Sequence, residues 1–403
     1  MPRGLFQSVE RLVAEAGSRL VVTDQRPVLE SSGFAFVGEL SDLQQAALDG
    51  LANFDQGMLV APPGTGKTVI ACALIARHAQ PTLVIVDRTP LLDQWRARLC
   101  KHLGLAPAQV GQLGGGKDRR QGVVDLAMAQ SLARRDDIEA ITAGYGLVVV
   151  DECHHIPVVT FQAFVRRIPA RRWLGLTATP YRRDRLEAII AMHCGPVRHQ
   201  IDPTATCAAI PVRRLVVHDS HHPAPGGDDV PIHEVFRALV DDRLRTAGIC
   251  RDVADALDRR RNCLVLTQWV EHVDLLCDQL RAFGRDSLVL KGGMSKKARA
   301  AVLDSIAVRT TSDGLVLVAT GPYLGEGFDC PRLDALFLAF PLAFKGRIVQ
   351  YVGRILRAVD GKDSVEVHDY VDINVPVLAR MHAKRLRALA SLGFEIPDER
   401  RRR

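Results

Sequence analysis

The stretch Ala61–Thr68 reads Ala-Pro-Pro-Gly-Thr-Gly-Lys-Thr, residue types that can hold phosphate. Gly64 and Gly66 let the backbone curl until successive N–H groups face one anion, and Pro63 and Thr65 belong to the same cradle. Lys67 adds a full positive charge for the outer phosphates, and the Thr68 hydroxyl is placed to ligate Mg²⁺. A second set is Asp151-Glu152-Cys153-His154-His155. In a nucleotide hydrolase an acid at a strand end holds Mg²⁺, directly or through water, and Glu152 beside it can orient or deprotonate the attacking water. The Cys-His-His part invites a zinc reading, but neighbours on one short segment do not offer converging ligands. A third set is Gln350, Arg354 and Arg357, at spacings of 4 and 3 (354 − 350 and 357 − 354), as on one helix face. Two arginines there can serve a γ-phosphate or simply face solvent.

These residues need elements to position them. The apolar run 57–60 before the cradle reads as a strand, and Val69–Ala76 after it as a helix whose N-terminus adds partial positive charge. Upstream, 40–48 is a helix carrying Gln44. Its amide can donate to and accept from an adenine edge, or lie on a solvated helix surface. The continuous β run Thr82–Val86 suits a parallel strand buried on both faces. Arg88-Thr89-Pro90 then turns into a helix over 91–99 that carries Gln94-Trp95. A second such unit is the strand 123–127 followed by Gln130-Ser131-Leu132, and 114–120 between them reads as a flexible basic loop. Leu147–Val150 leads into the acidic set, and another strand leads into Thr177-Ala178-Thr179. Loops after parallel strands gather at the carboxyl edge, where ligands bind, so these loops can line a polyanion track or be solvated turns. Short β-like runs are expected at 19–22 and 34–37, after a helix over 6–16.

The second half repeats the alternation without a second Gly-Lys-Thr loop. The expected elements are a strand at 212–217, a helix from 232 to about 260, strands at 263–267, 287–290 and 314–318, and helices at 270–283 and 296–308. Gly321–Pro331 is a glycine-rich loop able to touch phosphate or ribose. Residues 372–393 read as a basic helix (Arg380, Lys384, Arg385, Arg387) with an apolar stripe of Val377, Met381 and Leu386. The chain of 403 residues has 47% hydrophobic and 25% charged residues, the balance of a soluble globular protein with two or three domains. It has no run long enough for a membrane span and no secretory leader pattern. Nine cysteines without a Cys-x-x-Cys pair suit a reducing cytoplasm. A net charge of +7 is compatible with a polyanionic partner as well as with ordinary surface.

The ordered set resembles a superfamily 2 DExH helicase over about residues 39–372. The carriers are Gln44 (Q motif), Ala61–Thr68 (motif I), Arg88-Thr89-Pro90 (Ia), Gln130-Ser131 (Ic), Asp151-Glu152-Cys153-His154 (II) and Thr177-Ala178-Thr179 (III). Thr320 with 325–329 follows as motif V, and 350–357 as motif VI. Leu-Thr-Ala-Thr-Pro and Gly-Glu-Gly-Phe-Asp look most like the XPB-like and type III restriction-like branch. The helicase module of bacterial TOTE conflict-system proteins looks closest. Arg182-Arg183-Asp184 stands where XPB-like proteins carry Arg-Glu-Asp.

The resemblance implies an α/β fold of two tandem RecA-like αβα domains with parallel sheets. It divides the chain into an accessory element at 1–38, a first domain at 39–208, a second at 209–372 and a basic helical tail at 373–403. It implies ATP and Mg²⁺ as cofactors. Lys67, Asp151, Glu152, Arg354 and Arg357 would be catalytic. Gln44, 63–68, Gly327 and Asp329 would bind nucleotide, with Thr68 and Asp151 toward the metal. His154, Thr177, Thr179 and Gln350 would couple hydrolysis to movement. Arg88, Thr89, Gln130, Ser131 and Thr320 would contact nucleic acid through its phosphates. The expected activity is ATP-driven translocation or unwinding, on DNA rather than RNA, in the cytoplasm, with partner subunits of a defence or repair system. An RNA-remodelling ATPase and a nucleotide-switched binding module are the alternatives.

Overall fold

The structure is a computed structural model that describes residues 2–24, 26, 29–154, 156–178, 187–202, 210, 212–220, 230–308, 314–321, 328, 330–342, 345–357, 359 and 361–396. The chain divides into two compact units, Met1–Asp202 and Pro203–Arg403.

In the first unit, helices α1 (Phe6–Glu15) and α2 (Asp42–Ala52) precede strand β1 (Gln56–Val60) and helix α3 (Lys67–His78). Then come β2 (Thr82–Val86), α4 (Thr89–Leu103), β3 (Val110–Gly114), β4 (Lys117–Arg119), β5 (Val124–Met128), α5 (Ala129–Ala133) and α6 (Ile138–Thr142). The unit closes with β6 (Leu147–Val150), α7 (Val158–Val165), β7 (Arg172–Thr177), α8 (Glu187–Cys194) and β8 (Val197–Gln200). The sheet runs β4-β3-β5-β2-β6-β7-β1-β8, parallel except for the β3–β4 pair. The unbroken apolar strands follow from burial on both faces. Val84 and Val86 join the apolar layer of α2, α3 and α4, while Leu83 and Ile85 point into the layer of α5 and α7.

The second unit contains β9 (Val212–Ser220), α9 (Ile232–Asp241), α10 (Arg243–Asp258), β10 (Cys263–Thr267), α11 (Val270–Ala282) and β11 (Leu288–Leu290). These are followed by α12 (Lys296–Val308), β12 (Val316–Thr320), β13 (Ala335–Leu338), α13 (Lys345–Ile355), β14 (Ser364–Asp372) and α14 (Pro376–Ala390). Its sheet, β11-β12-β10-β13-β14-β9, is parallel throughout. Each unit is thus a parallel sheet between helical layers, with β4 of the first unit as an antiparallel edge strand, the RecA-like arrangement expected. Among the described residues no helix is long and apolar enough to cross a membrane.

Several local expectations are corrected. Residues 114–120 are not a flexible loop. Gly114, Gly115 and Gly116, all at positive φ, close a tight turn between antiparallel β3 and β4. The runs 19–22 and 34–37 form no strand. Phe34 and Phe36 are held instead by packing on the first unit's core, and Val37 by hydrogen bonds to His102. The single helix expected from 232 to 260 is broken at Asp242, which is extended and caps α10 by accepting from the Arg245 N–H. The strand expected at 314–318 lies two residues later. The buried face of α14 is Leu378, His382, Arg385 and Leu389, with Val377, Met381 and Leu386 only half-buried. Arg385 is therefore not a solvated cation: it pairs with the fully buried Asp369 at 2.8 Å.

Candidate active site

Strand order decides what can meet. β6, β7 and β1 are neighbours, so the loops after them emerge side by side at one carboxyl edge. Val60 lies beside Thr177 and Val150 beside Gly175 in the register. The phosphate cradle, the Asp151–His154 turn and Thr177 are thereby adjacent, although more than a hundred positions separate the first from the last (177 − 61 = 116).

In the cradle, Gly64 and Gly66 both have positive φ, 91° and 84°. Gly66 N-caps α3, and Lys67 and Thr68 open the helix. The Thr65 hydroxyl donates to the Pro62 carbonyl at 2.8 Å. Gln44 is tied to this loop, since its Nε2 donates to the Thr65 carbonyl at 3.0 Å and its Oε1 accepts from the Ser41 N–H at 3.1 Å. Its amide thus caps α2 and braces the cradle. Lys67 Nζ donates to the Ala61 carbonyl at 3.2 Å and lies 2.9 Å from Glu152 Oε1.

The acidic turn is buried and strained. Glu152 has φ +40°, a left-handed conformation that costs a non-glycine residue about 1–2 kcal/mol. Three bonds hold it there. Its N–H donates to Asp151 Oδ1 at 3.0 Å, its Oε2 accepts from the Ala178 N–H at 3.2 Å, and Oε1 pairs with Lys67. The His154 Nδ1 lies 2.7 Å from the Thr177 hydroxyl and 3.4 Å from Glu152 Oε2. Motifs II and III are therefore directly bonded. Asp151 accepts a hydrogen bond of 2.7 Å from the Trp95 indole N–H. Burial pushes its carboxyl up to about 6, with the like charge of Glu152 adding, while the Trp95 bond and the charge of Lys67 oppose the rise.

Asp151 and Glu152 are both buried here, Glu152 paired with Lys67, and their carboxylates are hard oxygen donors. That chemistry fits a hard divalent cation. Asp151 and the Thr68 hydroxyl are the residues that would hold Mg²⁺. Along the same edge, Arg88 and Thr89 sit exposed at the start of α4, and Arg88 Nε lies 3.2 Å from Asp87. The Gln130 amide donates to the Asp87 carbonyl at 2.8 Å, with Ser131 next to it in α5.

The remaining predicted residues belong to the second unit. Thr320 ends β12 and is buried. Gln350 and Arg354 lie on α13, and Arg354 Nη1 donates to the Phe328 carbonyl at 2.8 Å. Arg357 does not share that helix face, because α13 ends at Ile355. Thr179, Gly327 and Asp329, like 182–184, lie outside the described residues. Two participants escaped the sequence reading. Trp95 was visible only as a tryptophan in a helix, and the Ala178 N–H is a backbone donor that no residue type announces.

The comparisons agree with this geometry. Residues 38–182 match the family model described as type III restriction enzyme, res subunit, and residues 248–359 match the helicase conserved C-terminal domain. Probable helicase D10 of Escherichia phage T5 is 26% identical over 306 residues, covering 74% of this chain and 64% of that protein. DNA 3'-5' translocase XPB2 of Sulfurisphaera tokodaii is 30% identical over 159 residues, covering 40% of this chain and 35% of that protein. The matches thus span less than two-thirds of either relative's length. The ATP-dependent Type ISP restriction-modification enzyme LlaBIII bound to DNA shares the fold, with a TM-score of 0.63 and 18% identity over 88% of this chain and 30% of that one. The two family matches and the XPB-named relative support a superfamily 2 helicase of the XPB-like and type III restriction-like branch.

Proposed function

We propose that this chain is an ATP-driven DNA translocase or helicase. The observation that carries the reading is the cluster of Lys67, Glu152, His154 and Thr177, linked side chain to side chain between the phosphate cradle and the ends of β6 and β7. A nucleotide phosphate drawn to Lys67 competes with Glu152 for that ammonium. Any displacement of Glu152 is passed to His154 and Thr177, so phosphate occupancy has a direct route into the sheet edge. Glu152 takes the proton of the attacking water, and Thr68 and Asp151 would hold Mg²⁺, which would neutralise charge at the phosphates. Arg354 and Arg357 add positive charge to the transition state. Arg88, Thr89, Gln130, Ser131 and Thr320 meet nucleic-acid phosphates, which makes binding salt-dependent and largely blind to sequence. The names of the XPB-like relatives favour DNA as the polymer and a 3′-to-5′ direction.

The test is the ATPase rate with single-stranded DNA, duplex DNA and RNA of matched sequence. Stimulation by DNA supports the reading, stimulation by RNA alone transfers it to RNA remodelling, and no stimulation by either removes the motor. Strand displacement on 3′-tailed, 5′-tailed and blunt duplexes then separates unwinding from translocation.

A further inference from the structure

Trp95 is 1% exposed, and its indole N–H is the only hydrogen-bonding group of its side chain. That N–H is spent on Asp151 Oδ2, 56 positions away in sequence. Asp151 Oδ1 accepts from the Glu152 N–H, so each carboxylate oxygen is fixed by one donor and keeps lone-pair capacity. The ring packs in the first unit's core with Leu91, Leu92 and Leu99, and that packing makes no use of the N–H. The indole adds a neutral donor. It stabilises a buried carboxylate without the positive charge that a lysine or arginine would set against a cation. Lys67, the ammonium at this site, is bonded to Glu152 and not to Asp151.

The same tryptophan lies on α4, seven residues after Arg88 (95 − 88 = 7). Arg88 is the extended N-cap residue of that helix and Thr89 its first, so Trp95 sits six residues further in (95 − 89 = 6), about 9 Å along the axis from Thr89. Gln130 braces the entrance of that helix through the Asp87 carbonyl.

We propose that Trp95 is a positioning residue: its indole N–H sets the Asp151 carboxylate for a divalent cation, and α4 is the rigid strut joining that carboxylate to Arg88 and Thr89. The second half rests on the reading of Arg88 and Thr89 as phosphate contacts, and the first half does not.

Trp95→Phe keeps the ring and removes only the donor. In Mn²⁺ titrations of the full chain with ADP, followed by electron paramagnetic resonance, this variant binds Mn²⁺ about tenfold more weakly, the usual cost of losing such a partner. ADP binding without metal is unchanged. Leu99→Ala, buried on the same helix, lowers the unfolding temperature and leaves the Mn²⁺ titration unmoved. Wild-type Mn²⁺ affinity in Trp95→Phe overturns the positioning role. A second measurement needs no Trp95 variant. Indole-¹⁵N labelling gives signals from Trp95, Trp173 and Trp269, assigned with Trp173→Phe and Trp269→Phe. The Trp95 signal shifts on adding Mg²⁺ to the ADP complex, and an unmoved signal refutes the contact to the metal site. It also shifts when oligo-dT is added without nucleotide, and its indifference to bound oligo-dT overturns the strut. Failure of DNA to stimulate ATP hydrolysis is a separate result that counts against the motor, because the Mn²⁺ titration is read without DNA.

Discussion

Lys67 Nζ and Glu152 Oε1 are 2.9 Å apart, so the lysine of the glycine-rich loop and the carboxylate proposed to activate water hold each other. Glu152→Gln frees Lys67 for phosphate. ATP affinity in this variant stays level or tightens, while turnover falls at least about 100-fold with loss of the base. Fluorescent-nucleotide binding and steady-state hydrolysis read the two effects separately. Lys67→Ala gives the opposite pattern, loss of ATP binding itself, and undiminished affinity in that variant refutes the cradle.

Gly66 has φ +84°, and a Cβ built there lies 2.5 Å from Gln44 Nε2. Gly66→Ala therefore pays for a left-handed backbone and displaces the amide that braces Thr65. The conformational cost alone is about 1–2 kcal/mol, and ATP affinity falls about tenfold, the equivalent of about 1.4 kcal/mol. Gln44→Ala in the same background relieves the clash and recovers part of the loss. Isothermal titration of the single and double variants shows whether the two residues are coupled.

Arg354→Ala retains ATP binding and loses turnover by about 10³-fold or more if its charge serves the transition state. Arg354 is buried and donates to the Phe328 carbonyl, so the variant also loses about 1–2 kcal/mol of stability. Single-turnover rates at a temperature well below the unfolding midpoint separate the two effects. Arg354→Lys rescues little, because an ammonium cannot reproduce the guanidinium fork.

His272 sets a pH dependence. Burial lowers its imidazole from 6.5 to about 3, with the nearby Arg245 charge adding, and its Nδ1 lies 2.9 Å from the Thr267 hydroxyl. The folded value lies below the unfolded one, so the unfolded chain binds the extra proton between those values. Stability is complete above pH 6.5 and declines as pH falls toward 3. At pH 5 the loss from this group is about 2 kcal/mol. Urea unfolding of the wild type and of His272→Gln at pH 8 and pH 5 measures it: the variant's pH difference is smaller by that amount, the rest coming from groups such as His78 and His193 that burial also lowers.

What the sequence disclosed follows the range of the interactions concerned. Ala61–Thr68 and Asp151–His154 were legible because their chemistry is local: a turn, a helix start and a strand end fix them within eight residues or fewer. β2, β6 and β10 were legible as unbroken apolar runs, whereas β13, equally apolar but only four residues long, was not among the expected strands. Nor was β14, because Glu366, His368 and Asp369 interrupt its apolar pattern. Their burial is intelligible only with distant partners: Arg259 for Glu366, and His382 and Arg385 for Asp369. β3 was hidden by two glycines in five residues. The break at Asp242 and the end of α13 before Arg357 are boundary details that helical spacing does not resolve. The Trp95–Asp151 bond joins two elements that only the strand order brings together.

The pairing of β9 with β14 has a consequence for synthesis. β9 opens the second unit's sheet in sequence and β14 is its last strand, with Val212 set beside Ser364, 152 positions later (364 − 212 = 152). As the chain leaves the ribosome, β9 must wait for nearly the whole unit before its partner exists. The sheet closes late, by joining its first-made strand to its last. The slow step of this unit's folding should then be closure across that long loop. A fragment ending at residue 359, where the helicase C-terminal family match stops, would leave β9 with no strand to join.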